Sequence, residues 1–138
     1  MNPKMIAFWF VTALVFLAFA GSGIANLVHA PTIARDMAHL GYPDYFSTIL
    51  GTWKVLGALA VVVPAFPRVK EWAYAGMAFD LTGAAISRAV SGDGAAGVVP
   101  PLIVFGLVVA SWWLRPGERV LERSPKEASL NPIEEVSR

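Results

Sequence analysis

The chain is predicted to be an all-α membrane protein, a bundle of four transmembrane helices with both termini in the cytoplasm. Three observations carry this expectation. Hydrophobic residues make up 56% of the 138 residues, and the mean hydropathy is +0.56. Charged residues are 15% of the chain, against about 25% in an ordinary soluble domain. The apolar residues are also gathered into four long runs separated by short polar connections. A spanning helix needs roughly 17 to 25 such residues, because at bilayer depth the helix must satisfy every backbone group internally.

The first run, Met5 to Leu27, is long enough to span unaided. Lys4 precedes it as in a signal peptide. The run is longer than a typical signal core, however, and three more follow, so a retained helix is expected. His29-Ala30-Pro31 ends it, since proline inside a helix loses a hydrogen bond and crowds the preceding turn. Gly41-Tyr42-Pro43-Asp44 signals a turn before the second run, Phe46 to Val63, with Asp44 or Ser47 as candidate caps. Pro64-Ala65-Phe66-Pro67 closes that run. The third, Trp72 to Ala89, ends before Gly92-Asp93-Gly94. The fourth runs from Val98 to Leu114, with Pro100 and Pro101 near its start, where missing amide donors matter least. Residues 1–115 are thus read as the transmembrane domain. Residues 116–138 mix charges with Ser, Pro and Asn and read as a polar, mostly disordered cytoplasmic tail.

Composition excludes several classes of function. Without cysteine there are no disulfides, thiolate metal sites or dithiol chemistry. No basic run with interleaved aromatics suggests nucleic acid. His29, Asp36 and His39 fit no metal-ligand spacing, and Asp36 and His39 are expected on a solvated loop. Orientation follows from lysine and arginine in the short connections. Lys4, then Arg68 and Lys70, then Arg115, Arg119, Arg123 and Lys126 mark the cytoplasmic side; the connection with Arg35 and the one after Ser91 are poorer and face outward. Trp9, Trp53, Trp72, Trp112 and Trp113 suit an aromatic belt.

Two charges interrupt this pattern. Lys54 lies inside the second run and Asp80 inside the third. Either charge alone costs roughly 3 kcal/mol at the bilayer centre. At 1.5 Å per residue each sits about 12 Å from one end of its run, so the two fall at similar depth and an ion pair is geometrically allowed. Small residues share their faces: Gly76, Gly83, Ala84 and Ser87 with Asp80, and Ser47, Gly51 and Ala58 with Lys54. On the first run the matching stripe is Ala18, Ser22, Ala25, Asn26 and His29. Such stripes let membrane helices approach closely. The expected consequence is a polar interior, and a candidate ligand-binding site, formed by Asn26, His29, Thr52, Lys54, Asp80, Thr82 and Arg88. The fourth run, with Gly106, Ala110 and Ser111, reads as a wall.

The stretches Gly21-Ser-Gly-Ile-Ala-Asn-Leu, Gly51-Thr-Trp-Lys-Val-Leu-Gly-Ala and Phe79-Asp-Leu-Thr-Gly-Ala-Ala-Ile-Ser resemble the DoxX-like family of small bacterial membrane proteins. The resemblance covers roughly Met5 to Leu114. It implies a four-helix protein of the bacterial inner membrane. Some relatives are linked to quinone-reducing sulfur oxidation or to membrane oxidoreductase complexes, which implies quinone as a candidate cofactor and a membrane oxidoreductase as a candidate partner. The lysine of Gly51-Thr-Trp-Lys follows the DoxX-like branch, where other DoxX proteins tend to carry an acidic residue. The resemblance supplies no catalytic motif. Two classes of function therefore stand side by side. One is a non-catalytic component that binds a small lipid-soluble molecule and serves an oxidoreductase. The other is a membrane enzyme using Asp80 or His29 for acid–base chemistry on a lipid-like substrate. A small-solute transporter, which would require a homo-oligomer or a rearrangement, is a third reading.

Overall fold

The computed structural model describes residues 2–117, and the expected polar tail from residue 118 onward lies outside them. The described residues are all helical apart from their connections. The helices are α1 (Pro3–Leu27), α2 (Pro31–Leu40), α3 (Asp44–Val62), α4 (Pro67–Val90) and α5 (Gly94–Trp113). The four long helices lie on the four apolar runs. Three of them, α1, α3 and α5, are long and apolar enough to cross a membrane. At 24 residues α4 has the length but also carries Arg68, Lys70, Glu71, Asp80 and Arg88, which dilute its apolarity.

Several local expectations are corrected. The segment with Asp36 and His39 is not a loop but the helix α2, begun by Pro31 and ended by Gly41 in the left-handed region at φ 79°. Proline is pre-set for a first helical turn and glycine for a left-handed end, which is why a helix forms here. Neither Asp44 nor Ser47 caps α3; Asp44 opens that helix, and the Ser47 hydroxyl instead points at Asn26. Helix α5 begins at Gly94, so Pro100 and Pro101 lie inside it rather than near its start. Arg68 and Lys70 belong to the first turn of α4, not to a loop.

Helix α1 packs most extensively on α3, and α4 on α5; α1 also meets α5, and α3 meets α4. All four long helices contribute to one apolar core, which includes Val15, Phe19, Val61, Tyr74, Met77, Leu81 and Val108. The α1–α3 contact is close because two glycines face each other. A Cβ on Gly51 would lie 2.7 Å from the Gly23 carbonyl oxygen, and one on Gly23 would lie 3.1 Å from the Gly51 carbonyl. One turn away the contact is polar. The buried Asn26 amide donates to the Ser22 carbonyl at 2.7 Å, and Ser47 Oγ bridges to the Asn26 side-chain and backbone oxygens at 3.0 and 3.1 Å. A buried polar group must be bonded or it costs stability, so this cluster fixes the register of α1 on α3.

The connection from α3 to α4 is tight. Ala65 and Phe66 both take left-handed backbone, at φ 71° and 56°, a conformation costing roughly 1–2 kcal/mol for each residue with a Cβ. Lys70, 1% exposed, reaches back to offset this: its ammonium donates to the Ala60 carbonyl at 2.8 Å and to the Val63 carbonyl. Those oxygens lie in the last turn of α3 and on the residue that ends it, where the helix supplies no partners for them. At the same end Arg115 Nη2 lies 2.5 Å from Glu71 Oε1, and the guanidinium covers the rings of Tyr74 and Trp112.

The glycine crossing yields a direct test. Gly51→Ala should lower stability by about 1–3 kcal/mol through overpacking, read by thermal unfolding in detergent. Gly76→Ala, where a Cβ meets nothing within 4 Å, should leave the melting temperature unchanged or slightly raised. Equal melting temperatures for the two variants would contradict the close crossing.

Candidate functional site

Where α3 passes α4, Lys54 Nζ lies 3.6 Å from Asp80 Oδ2. The pair expected from the sequence is therefore formed, with both side chains largely covered, at 18% and 19% exposure. Lys54 sits one turn beyond Gly51, so the crossing with α1 aims it across α3 toward α4 rather than outward.

Two cavities meet at this pair. The larger, about 530 Å³, is a groove between α3 and α4 floored by Phe19 of α1. Trp53, Leu56, Val69, Trp72 and Phe79 give it an apolar lining, and Lys54 and Asp80 stand at one end. Small residues make the room: Gly57, Ala60, Ala73 and Gly76 line the groove. A Cβ on Gly76 would meet nothing, and one on Gly57 only the Met77 methyl at 3.5 Å. The stripe on α4 thus hollows a groove instead of drawing helices together. The second cavity, about 300 Å³, lies on the other side of the pair, beneath α2. Its lining is mixed, with Asn26, Asp36, Lys54, Asp80, Ser87 and Arg88 beside Ile33, Met37 and Leu40.

Of the seven residues expected to share a polar interior, Asn26, Lys54, Asp80 and Arg88 line this second cavity. The other three do not. His29 is exposed, in left-handed backbone at φ 50°, with Nε2 3.2 Å from Thr48 Oγ1. Thr52 is exposed and donates to the Thr48 carbonyl of its own helix. Thr82 likewise turns back onto the Ala78 carbonyl at 2.8 Å. Hydroxyls on helices often return to the preceding turn in this way, and the sequence alone does not say which will.

Arg88 does more than lie near a helix end. It holds α2 in place: Nη2 donates to Asp36 Oδ2 at 2.7 Å and Nη1 to Asp93 Oδ2 at 3.2 Å. His39 Nε2 lies 2.5 Å from Asp93 Oδ1. The hydrogen bond from His39, and then Arg88, holds the Asp93 carboxyl below the usual carboxylate range. Tyr42 adds a hydroxyl contact to Ser87 at 2.6 Å. Side chains of α2, α4 and the α4–α5 connection therefore close one end of the second cavity. Spacing could not reveal this, because the partners lie 52 and 54 residues apart.

Sequence reasoning also missed a buried hydroxyl cluster. Thr12 Oγ1 lies 2.7 Å from Ser111 Oγ, which lies 2.8 Å from the Tyr74 hydroxyl. It joins α1, α4 and α5 within the core, so α5 is a polar partner as well as a wall. The available signal was the one threonine of the first run and the one serine of the fourth.

The pair should be energetically coupled. Lys54→Met or Asp80→Leu alone strands a buried charge, with an expected loss of about 3–5 kcal/mol; the double substitution should recover most of it. A double-mutant cycle by denaturation in detergent measures the coupling. Two harmless single substitutions would show that the pair contributes nothing.

A family model described as the DoxX-like family matches residues 10–111. No match was found among curated proteins or among solved structures. The matched region takes in the glycine crossing, the ion pair and both cavities, with three helices apolar enough to cross a membrane. This chain belongs to the DoxX-like family and is a membrane protein.

Proposed function

We propose that the protein is a four-span bundle of the bacterial inner membrane that binds a small lipid-soluble molecule in the α3–α4 groove, beside Lys54 and Asp80. The observation that carries this reading is the groove itself: an apolar channel between two helices that ends on a charged pair. Ligand sites are mostly apolar concavities with a few placed polar groups that set orientation. An amphiphile from the bilayer would place its tail along Trp72 and Val69 and its head at Lys54 and Asp80.

Helix α4 serves as the fourth span in this reading. Its charges are concentrated at its two ends, with Asp80 alone between Glu71 and Arg88. Contacts from other elements answer four of them: α3 carbonyls for Lys70, Arg115 for Glu71, Lys54 for Asp80, and Asp36 with Asp93 for Arg88. Paired charges facing a bundle interior are what a membrane tolerates. The distribution of lysine and arginine supports cytoplasmic termini and an outward-facing α2. The resemblance to proteins linked with quinone reduction makes a quinone-type molecule the first ligand to seek, held for a membrane oxidoreductase partner.

Mass spectrometry of molecules that co-purify in mild detergent tests the binding. The wild-type chain should retain a lipid-soluble molecule. Gly76→Phe, which projects a ring into the groove, should retain several-fold less at similar fold stability. An empty wild-type chain, or equal retention by the variant, would refute the site. Topology is tested separately, since the absence of cysteine allows single labels. Arg35→Cys should react with an impermeant thiol reagent in intact cells and Arg68→Cys only after permeabilisation; the reverse pattern would invert the orientation.

A further inference from the structure

The head group that fits the Lys54–Asp80 pair can be specified further, on the reading that the α3–α4 groove holds an amphiphile. We infer that the ligand carries an uncharged head bearing a hydroxyl group, which accepts a hydrogen bond from Lys54 and donates one to Asp80. The separation of the two groups is the starting point. At 3.6 Å, Nζ and Oδ2 attract each other but stand beyond the roughly 2.7–2.9 Å of a charge-assisted hydrogen bond. Among the described residues no other side chain or backbone group bonds to either, and neither polar end is sealed from the cavities. An ammonium has three donors and a carboxylate two acceptor oxygens, so both retain unused capacity. Within a membrane that capacity is costly to leave unfilled.

Charge then selects the head. The pair is neutral as a whole. An anionic head would meet Lys54 but sit against Asp80, and a cationic head would do the reverse. Both leave a net charge in a poorly screened site. A head that only accepts, such as the carbonyl of an oxidised quinone, serves Lys54 and leaves Asp80 as it was, whereas a quinone-type molecule in its reduced form presents the hydroxyl that serves both. A hydroxyl serves both with a single oxygen. The apolar groove beside the pair takes the tail, and the second cavity on the far side gives the head its room.

The test compares three probes of equal chain length: a straight-chain alcohol, its carboxylate and its alkylammonium. Retention is measured by native mass spectrometry on the full chain in nanodiscs of uncharged lipid. Wild-type protein should hold the alcohol about tenfold or more in preference to either charged probe, as expected for hydrogen bonds to charged groups. Asp80→Asn should shift the preference to the carboxylate, and Lys54→Gln to the ammonium. The Lys54→Met/Asp80→Leu double variant has no stranded charge and decides the matter if the single variants fail to fold: it should bind all probes with no head preference. An unchanged ranking in a folded variant would overturn the head assignment while leaving the groove reading intact. Failure of the wild-type chain to retain any probe would overturn both.

Discussion

Charge satisfaction inside a lipid-facing fold is the constraint on which the rest of this structure depends. Helix α4 is the most charged of the long helices, yet it sits between α3 and α5 with most of its charges answered by another element. Asp80 meets Lys54, Glu71 meets Arg115, and Arg88 meets Asp36 and Asp93. Lys70 is turned onto the open carbonyls at the end of α3. These contacts join α4 to α3, to α2 and to the segment that follows α5. They also tie down the two connections least able to hold themselves, the strained turn at Ala65 and Phe66 and the helix α2, none of whose residues is buried.

The glycines show one residue type used in two opposite ways. Gly23 and Gly51 face each other across α1 and α3, and the backbones come so close that a single methyl would collide with a carbonyl. Gly57 and Gly76 line the α3–α4 groove, where an added methyl would meet no backbone. The first pair gives van der Waals contact, the main attraction between helices in lipid. The second withholds it and leaves a groove. The difference lies in what each glycine faces, a neighbouring backbone carbonyl in the first pair and the α3–α4 groove in the second.

Much of the architecture was readable in the chain because hydrophobicity in a membrane protein is a one-dimensional signal. Four apolar runs, each closed by proline or glycine, mark four long helices. The Lys54–Asp80 contact was readable for a related reason: two isolated charges in apolar helices have few places to go. The candidate site was less legible. Asn26, Lys54, Asp80 and Arg88 converge on one cavity, but Thr52 and Thr82 bond to their own helices and His29 turns to Thr48. The buried hydroxyl cluster of Thr12, Tyr74 and Ser111 had no shared spacing to announce it. Their meeting requires three helices at particular rotations. The α2 segment was misread because its mixed composition looks like a solvated loop, although Pro31 and Gly41 bracket a short helix.

By itself, then, the sequence determined the helical class, the apolar runs and the position of two charges inside those runs, since each depends only on residues close along the chain. Tertiary structure decided which faces pack and which stand apart, that Arg88 latches α2, and that a groove and a polar cavity meet at one ion pair. Those outcomes depend on helix rotation and axis spacing. Both are set by the summed packing of side chains far apart in sequence, and no local pattern encodes such a sum.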